Sequence, residues 1–209
     1  MKLAAVFNVW DGVELLKHSM ESVKSKVDVF IIVFSNMSNY GEVYRPQSDM
    51  DLRGFNYVWR LYNPVIGNGT KNEITKRNFG LKIARELDCT HFMHMDCDEM
   101  YSNFDEAVKE YLDSGKDGSV CPMYTYFKKP TWRFENADNY YVPFIHKLNM
   151  HTHAGHSSYP FYVDPTRRIN SNDVALLNTH MHHFSYVRKD IERKCRNSSA
   201  KANIEKSQL

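Results

Sequence analysis

Two aspartates separated by one residue, Asp96-Cys97-Asp98, follow an apolar run that ends at Met95, and Glu99 comes next. Extended backbone sends residues i and i+2 to the same side, so both carboxylates are expected to leave one face at the end of a strand. Hard oxygen donors so placed can hold Mg2+ or Mn2+, whose remaining positions are filled by water and by phosphate oxygens of a substrate. Paired acids at a strand end also serve as capping or solvated groups, so the pair by itself does not decide between the two uses. A second concentration of potential ligands lies downstream. Seven of the ten histidines fall between His146 and His183, six of them in the groups His151, His153, His156 and His180, His182, His183. Such density suits a zinc site, and with it a hydrolase that uses a metal-activated water, although neither His-Glu-x-x-His nor Cys-x-x-Cys occurs.

The elements that must position these groups read as alternating strands and helices. Lys2 to Val9 and Val27 to Phe34 are apolar runs of the kind buried on both faces of a parallel sheet. Between them Asp11-Gly12-Val13-Glu14 has the signature of a helix start, with Asp11 as cap and Val13, Leu16, Met20 and Val23 at helical spacing. Phe55 to Tyr62 is a third strand, and Thr70-Lys71-Asn72-Glu73 forms a capping box for a helix that carries Arg77 and Asn78. Cys89 to Met95 returns as a strand. A helix from Ser102 follows, with Phe104, Ala107, Val108, Tyr111 and Leu112 inward and Gly115 as its stop. This order implies an α/β fold with a doubly wound, mostly parallel sheet that binds ligands at the carboxyl ends of its strands, where Asp96 and Asp98 lie.

After residue 115 the pattern changes to strand candidates Ser119 to Phe127, Tyr140 to Leu148 and Asn178 to Tyr186, with irregular stretches between them. The expected organisation is one domain over residues 1–195, divided into halves 1–115 and 116–195. Residues 196–209 read as a polar tail, either the end of the chain or the start of a further region. With 209 residues, 25% charged and a net charge of +2, the chain lacks the basic footprint of a nucleic-acid binder. No apolar run approaches the ~20 residues of a membrane span. Without a secretory signal, Cys89, Cys97, Cys121 and Cys195 are expected as reduced thiols of a cytoplasmic protein.

An opening strand followed by Asn8-Val9-Trp10-Asp11-Gly12, and Lys76-Arg77-Asn78-Phe79-Gly80-Leu81 one helix before Met95-Asp96-Cys97-Asp98-Glu99, resemble the GT-A fold glycosyltransferases. The likeness is to the family 2-like group, which includes small enzymes of phages and large DNA viruses, and it covers about residues 3 to 115. It implies a metal-dependent transfer of a sugar from a nucleoside diphosphate sugar, UDP-linked by first expectation, to a hydroxyl of a glycan or glycoprotein. Viral or bacterial glycan synthesis would be the setting, in the host cytoplasm for a viral protein. A non-catalytic module that binds nucleotide sugars is the other implied use of such a scaffold.

Carried over by residue, Asp98 resembles the direct metal ligand and Asp96 the aspartate that meets ribose or reaches the metal through water. Asn8, Val9, Trp10, Asp11, Arg77, Asn78 and Cys97 fall beside the nucleotide. A late histidine completes the Mn2+ or Mg2+ site: His183 first and His182 second, since neighbours on a strand face opposite ways. Arg167, Arg168 and Arg188 would neutralise the departing diphosphate. Asp164, His156, His153 and Asp173 are candidates for the acceptor base. The second strand ends Phe34-Ser35-Asn36, where many family 2 members carry a uracil-reading aspartate, so uridine is the less secure part of this reading. Tyr124, Tyr126, Phe127 and Trp132 suit either sugar stacking or an aromatic core.

Overall fold

In the computed structural model, residues 1–44 and 50–197 are described. Most of the expected polar tail therefore lies outside the described residues. Strand β1 (Leu3–Val9) leads into helix α1 (Val13–Val23), strand β2 (Val29–Phe34) and strand β3 (Tyr57–Leu61), and then helix α2 (Gly69–Glu86) returns the chain to strand β4 (His91–Asp96). The four strands lie parallel in the order β3-β2-β1-β4. All six residues of β2 are buried, as the uninterrupted apolar run requires. Strand β1 is paired on both sides, and its register sets Asn8 beside Asp96. The loop after β1 and the acidic motif after β4 thus share the carboxyl edge of the sheet.

The chain continues through strand β5 (Glu99–Tyr101) and helix α3 (Phe104–Ser114), then strands β6 (Gly118–Cys121), β7 (Met123–Phe127) and β8 (Val142–Lys147). A 3-10 turn at Pro165–Arg167, strands β9 (Val174–Leu176) and β10 (Met181–Tyr186), and helix α4 (Ile191–Asn197) complete it. Strands β8, β6 and β9 extend the parallel half into one seven-stranded sheet, β8 running antiparallel to β4 and β6. A separate three-stranded sheet has the order β5-β10-β7. One apolar layer packs α1 and α3 against one face of the large sheet through Leu16, Met20, Phe104 and Tyr111, and a second packs α2 against the other through Leu81 and Ala84. The architecture is α/β with a mostly parallel sheet covered on both faces, as expected.

Several local expectations change. The single strand Ser119 to Phe127 is broken at Pro122, which has no N–H to donate, and its two pieces enter different sheets. Asp11 does not cap α1; Gly12 occupies the cap position at φ 78°, and no side chain caps the helix. The box Thr70 to Glu73 does not form, because α2 starts at Gly69 with Asn68 at the cap position, and all four of those residues already lie within the helix. Asn72 instead accepts from Val65 N–H and donates to Val65 C=O, at 2.9 and 2.7 Å. Leu112 is 52% exposed, whereas the rest of the inward set of α3 is buried and Gly115 ends the helix at φ 67°.

Helix α2 can approach β1 only because residue 80 has no side chain: a Cβ there would stand 2.2 Å from Val6 Cγ1. Alanine in a helix interior is otherwise about 1 kcal/mol better than glycine. Gly80→Ala is therefore expected to destabilise the fold by about 1–3 kcal/mol through overpacking, measured by urea unfolding. An unchanged or raised midpoint would contradict this packing.

Candidate active site

The acidic motif is not extended throughout. Strand β4 ends at Asp96, Cys97 and Asp98 form a turn, and β5 begins at Glu99. The turn is held by its own acid, because the Asp96 N–H donates to Glu99 Oε2 at 3.0 Å. Arg167, delivered by the 3-10 turn, forks across two carboxylates. Its guanidinium donates to both oxygens of Glu99, one at 3.1 Å, and to Asp96 Oδ2 at 2.7 Å. Arg77 on α2 approaches the other oxygen of Asp96 at 3.5 Å and is only 3% exposed, which rules out a free surface arginine. Against a burial penalty, Arg167 and Arg77 hold the Asp96 carboxyl well below the usual range. At Glu99 burial dominates and raises the pKa in spite of Arg167.

Asp98 has a separate set of partners. It is 1% exposed, and one of its oxygens accepts from Arg188, which also reaches Asp11 at 3.3 Å. Lys194 on α4 stands 3.9 Å from that same oxygen. The other oxygen, Oδ1, has no hydrogen-bond partner and faces His183 Nε2 at 3.7 Å. Burial is offset by Arg188 and Lys194, which keep Asp98 ionised far below the ordinary carboxylate range. Burial lowers the His183 pKa, so its imidazole is neutral near pH 7 and has a lone pair to offer. The missing side chain of Gly12 makes room for Arg188, whose Nη1 would lie 2.6 Å from a Cβ at that position.

These groups line two cavities that share Glu73, Arg77, Asp96 and Lys194. The first, of about 180 Å3, is bounded by Asn8, Trp10, Asp11 and Ser35 from the β1 and β2 ends, by Lys76 on α2 and by Arg188. The second, of about 350 Å3, is bounded by Tyr140, Asp164, Arg167, His183 and Ser185. Asn8 Oδ1, Trp10 Nε1, Arg77 Nε and Nη1, and Arg188 Nε are buried without a partner around the first cavity. Buried polar atoms are normally paired, so this cluster singles out the first cavity as the candidate site. Helix α4 closes one side: Arg193 bridges Asp11 and Glu42 and lies over the Tyr44 ring at 4.5 Å.

No protein-family model and no curated protein sequence matches the chain. Among solved structures, S. aureus TarS 1-349 aligns with a TM-score of 0.52 at 12% identity, over 94% of this chain and 64% of that one. The fold is of the GT-A type. TarS 1-349 in complex with UDP-GlcNAc aligns at TM-score 0.45 and 14% identity over 62% of this chain and 36% of that one. A putative glucose-1-phosphate thymidylyltransferase from Bacillus anthracis gives TM-score 0.43 at 8% identity over 82% and 69%. The chain spans between about a third and two thirds of the TarS chains it matches.

In this GT-A frame Asn8, Trp10, Asp11, Arg77, Asp96, Cys97, Asp98 and Arg188 line one cleft, with Arg167 and His183 on its second part. Val9 takes part through its carbonyl, which accepts from Lys76 Nζ at 2.7 Å. Asn78 does not reach the cleft; its amide is paired with the backbone of Ala154 in both directions. Arg168 donates to Ser157 C=O, away from both cavities. His182 is hydrogen-bonded to Tyr126 and Ser102 and so faces away from Asp98. His180 stacks on Tyr124, and His156 pairs with Ser158. The two histidine groups therefore do not converge, and no cluster of three or more His, Cys, Asp or Glu suited to a metal exists among the described residues. Of the base candidates, Asp164 alone lines the cleft, whereas Asp173 pairs with Lys116.

Three participants carried no assignment in the sequence. Glu99 was visible as the acid directly after the pair, and Lys76 as the cation before Arg77. Lys194 lies six residues beyond Arg188 in a stretch rich in basic residues, with no motif of its own. Burial lowers Lys76 from its ordinary value to about 7. A cation with a depressed folded pKa contributes stability that is complete above the unfolded value and lost as pH falls through 7. Between about pH 7 and 10 unfolding should therefore become harder by up to ~1.4 kcal/mol per pH unit from this group. Lys76→Met should flatten that part of the stability profile in urea titrations, and a slope identical to wild type would contradict it.

Proposed function

We propose that the chain transfers a sugar from a nucleoside diphosphate sugar, with UDP as the leaving group, to a hydroxyl of a glycan or glycoprotein acceptor. The observation that carries this reading is the cluster of buried, unpartnered polar atoms around an acidic turn at the carboxyl ends of β1 and β4 in a GT-A frame. TarS has been seen in complex with UDP and with UDP-GlcNAc, which makes UDP-linked donors the first to test.

Asn8, Trp10 and Asp11 are placed to meet the nucleoside, and Arg77 and Arg188 to receive phosphate oxygens on their unpaired N–H groups. Lys76 and Lys194 add positive charge where the leaving diphosphate gathers negative charge. The fit to a divalent cation rests on Asp98 Oδ1, an orphaned buried carboxylate oxygen, and on the neutral imidazole of His183 facing it. Mn2+ or Mg2+ held there would act as a Lewis acid on the leaving group. Asp96 is committed to Arg77 and Arg167 and works by fixing them. Asp164 is the acceptor base in this reading. Thr166 N–H and hydroxyl both donate to its Oδ1, at 2.7 and 2.8 Å, and orient the carboxylate.

Incubation with a panel of UDP-sugars without acceptor should show slow release of UDP from at least one of them. With an acceptor, Asp164→Asn should lower transfer by about 10²–10⁴-fold and leave UDP affinity unchanged, since it removes only the proton acceptor. A chain that binds UDP but neither hydrolyses nor transfers any nucleotide sugar is a binding module, and the proposal then fails.

A further inference from the structure

A third cavity, of about 410 Å3, continues outward from the cleft. It shares Tyr140, His183, Ser185 and Tyr186 with the 350 Å3 cavity, so a ligand seated in it lies within reach of the Asp98 and His183 end. Its volume is that of a small-ligand pocket. Three large rings, Phe127, Phe134 and Tyr186, face it while 43%, 56% and 41% exposed, a concentration of apolar surface that marks a binding site better than scattered single residues would. Lys128 Nζ lies over the Phe127 ring at 5.3 Å. Polar groups sit among the rings: the Thr125 hydroxyl donates to Asp138 at 2.9 Å, and Ser185 lies beside His183 on the same wall.

Two observations select the ligand chemistry. No lysine or arginine lines this cavity among the described residues, and the acid Asp138 does, so its lining favours a neutral ligand over a phosphorylated or carboxylated one. The edge of β7 beside it is already paired: Phe127 N–H donates to Trp132 C=O at 2.9 Å and Phe134 N–H to Thr125 C=O at 3.1 Å. An extended peptide therefore finds no open strand to add to. A neutral sugar ring has an apolar C–H face and a rim of hydroxyls. Ring faces match the former, and Thr125, Asp138 and Ser185 match the latter.

We infer that this cavity is a carbohydrate site that seats the neutral terminal sugar of the acceptor, with Phe134 and Tyr186 as its stacking platform. That the sugar is the acceptor rests on the transferase reading above; that the cavity binds a sugar does not.

Saturation-transfer difference NMR on the full chain separates the two. The probes are maltotetraose, cellotetraose, mannotetraose and chitotetraose, with UDP and an unglycosylated Gly-Ser peptide measured alongside. At least one oligosaccharide should receive saturation. Phe134→Leu, which keeps apolar bulk and loses the ring, should weaken its binding by about three- to tenfold while UDP binding holds, as expected for one lost aromatic partner. Phe134→Ala should do the same, with an unchanged melting temperature, because the side chain is exposed. Saturation of no oligosaccharide, saturation of the peptide alone, or oligosaccharide binding indifferent to both variants overturns the sugar site. Oligosaccharide binding that depends on Phe134 in a chain that fails to bind UDP sustains the sugar site and sinks the transferase reading instead.

Discussion

Glu99 and Arg167 are both almost withdrawn from water, and neither could be so alone, because an unpaired buried charge costs several kcal/mol of lost hydration. Together they satisfy one another, and Glu99 also accepts the Asp96 N–H. The acidic turn is thus folded around its own third carboxylate. On its other side the Ser19 hydroxyl of α1 donates to the Glu99 carbonyl. Arg167 comes from far along the chain, so the second half must dock on the first before the turn acquires its shape. The geometry of the site and the tertiary assembly are in this sense coupled.

Around that pair the cleft alternates in charge. Asp11, Asp96, Asp98 and Glu99 face Arg77, Arg167, Arg188 and Lys194, four acids against four cations, so these groups balance as they stand. A nucleotide diphosphate and a divalent cation bring opposite charges, and entering together they preserve that balance. In the proposed reaction a cation would relieve Asp98 and the phosphates would take the guanidinium donors. Burial makes each pairing stronger than it would be at the surface, and it also makes each unmatched charge more expensive. Helix α4, held over the cleft by Arg193 and Lys194, belongs to this charge balance as much as the strands do.

Strands β1, β2 and β4 were legible because burial on both faces leaves long apolar runs, and α1, α2 and α3 because one-sided burial leaves a helical period. Strands β5 and β9 are three residues each, too short to show any period. The break at Pro122 could have been read from its missing N–H. Helix caps were misread because sequence shows a side chain's capacity to cap, and not the αL glycine that displaces it at Gly12. In the site, residue types were readable and partners were not. Asn78 and Arg168 turned to backbone carbonyls, and Arg167 became an internal brace, through contacts that local spacing cannot encode. The same holds for the aromatics: adjacent Tyr126 and Phe127 differ only in which face of β7 they take, one stacked on Phe184 and the other open to the cavity.

The central claim is that Asp98 links nucleotide binding to a divalent cation. Calorimetric titration of UDP, with and without Mn2+, into the wild-type chain and into Asp98→Asn tests it most directly. Mn2+ should tighten UDP binding to wild type by about tenfold or more, worth ~1.4 kcal/mol, and should have no such effect on the variant. Equal gains in both proteins, or UDP affinity indifferent to Mn2+ in wild type, would contradict the account.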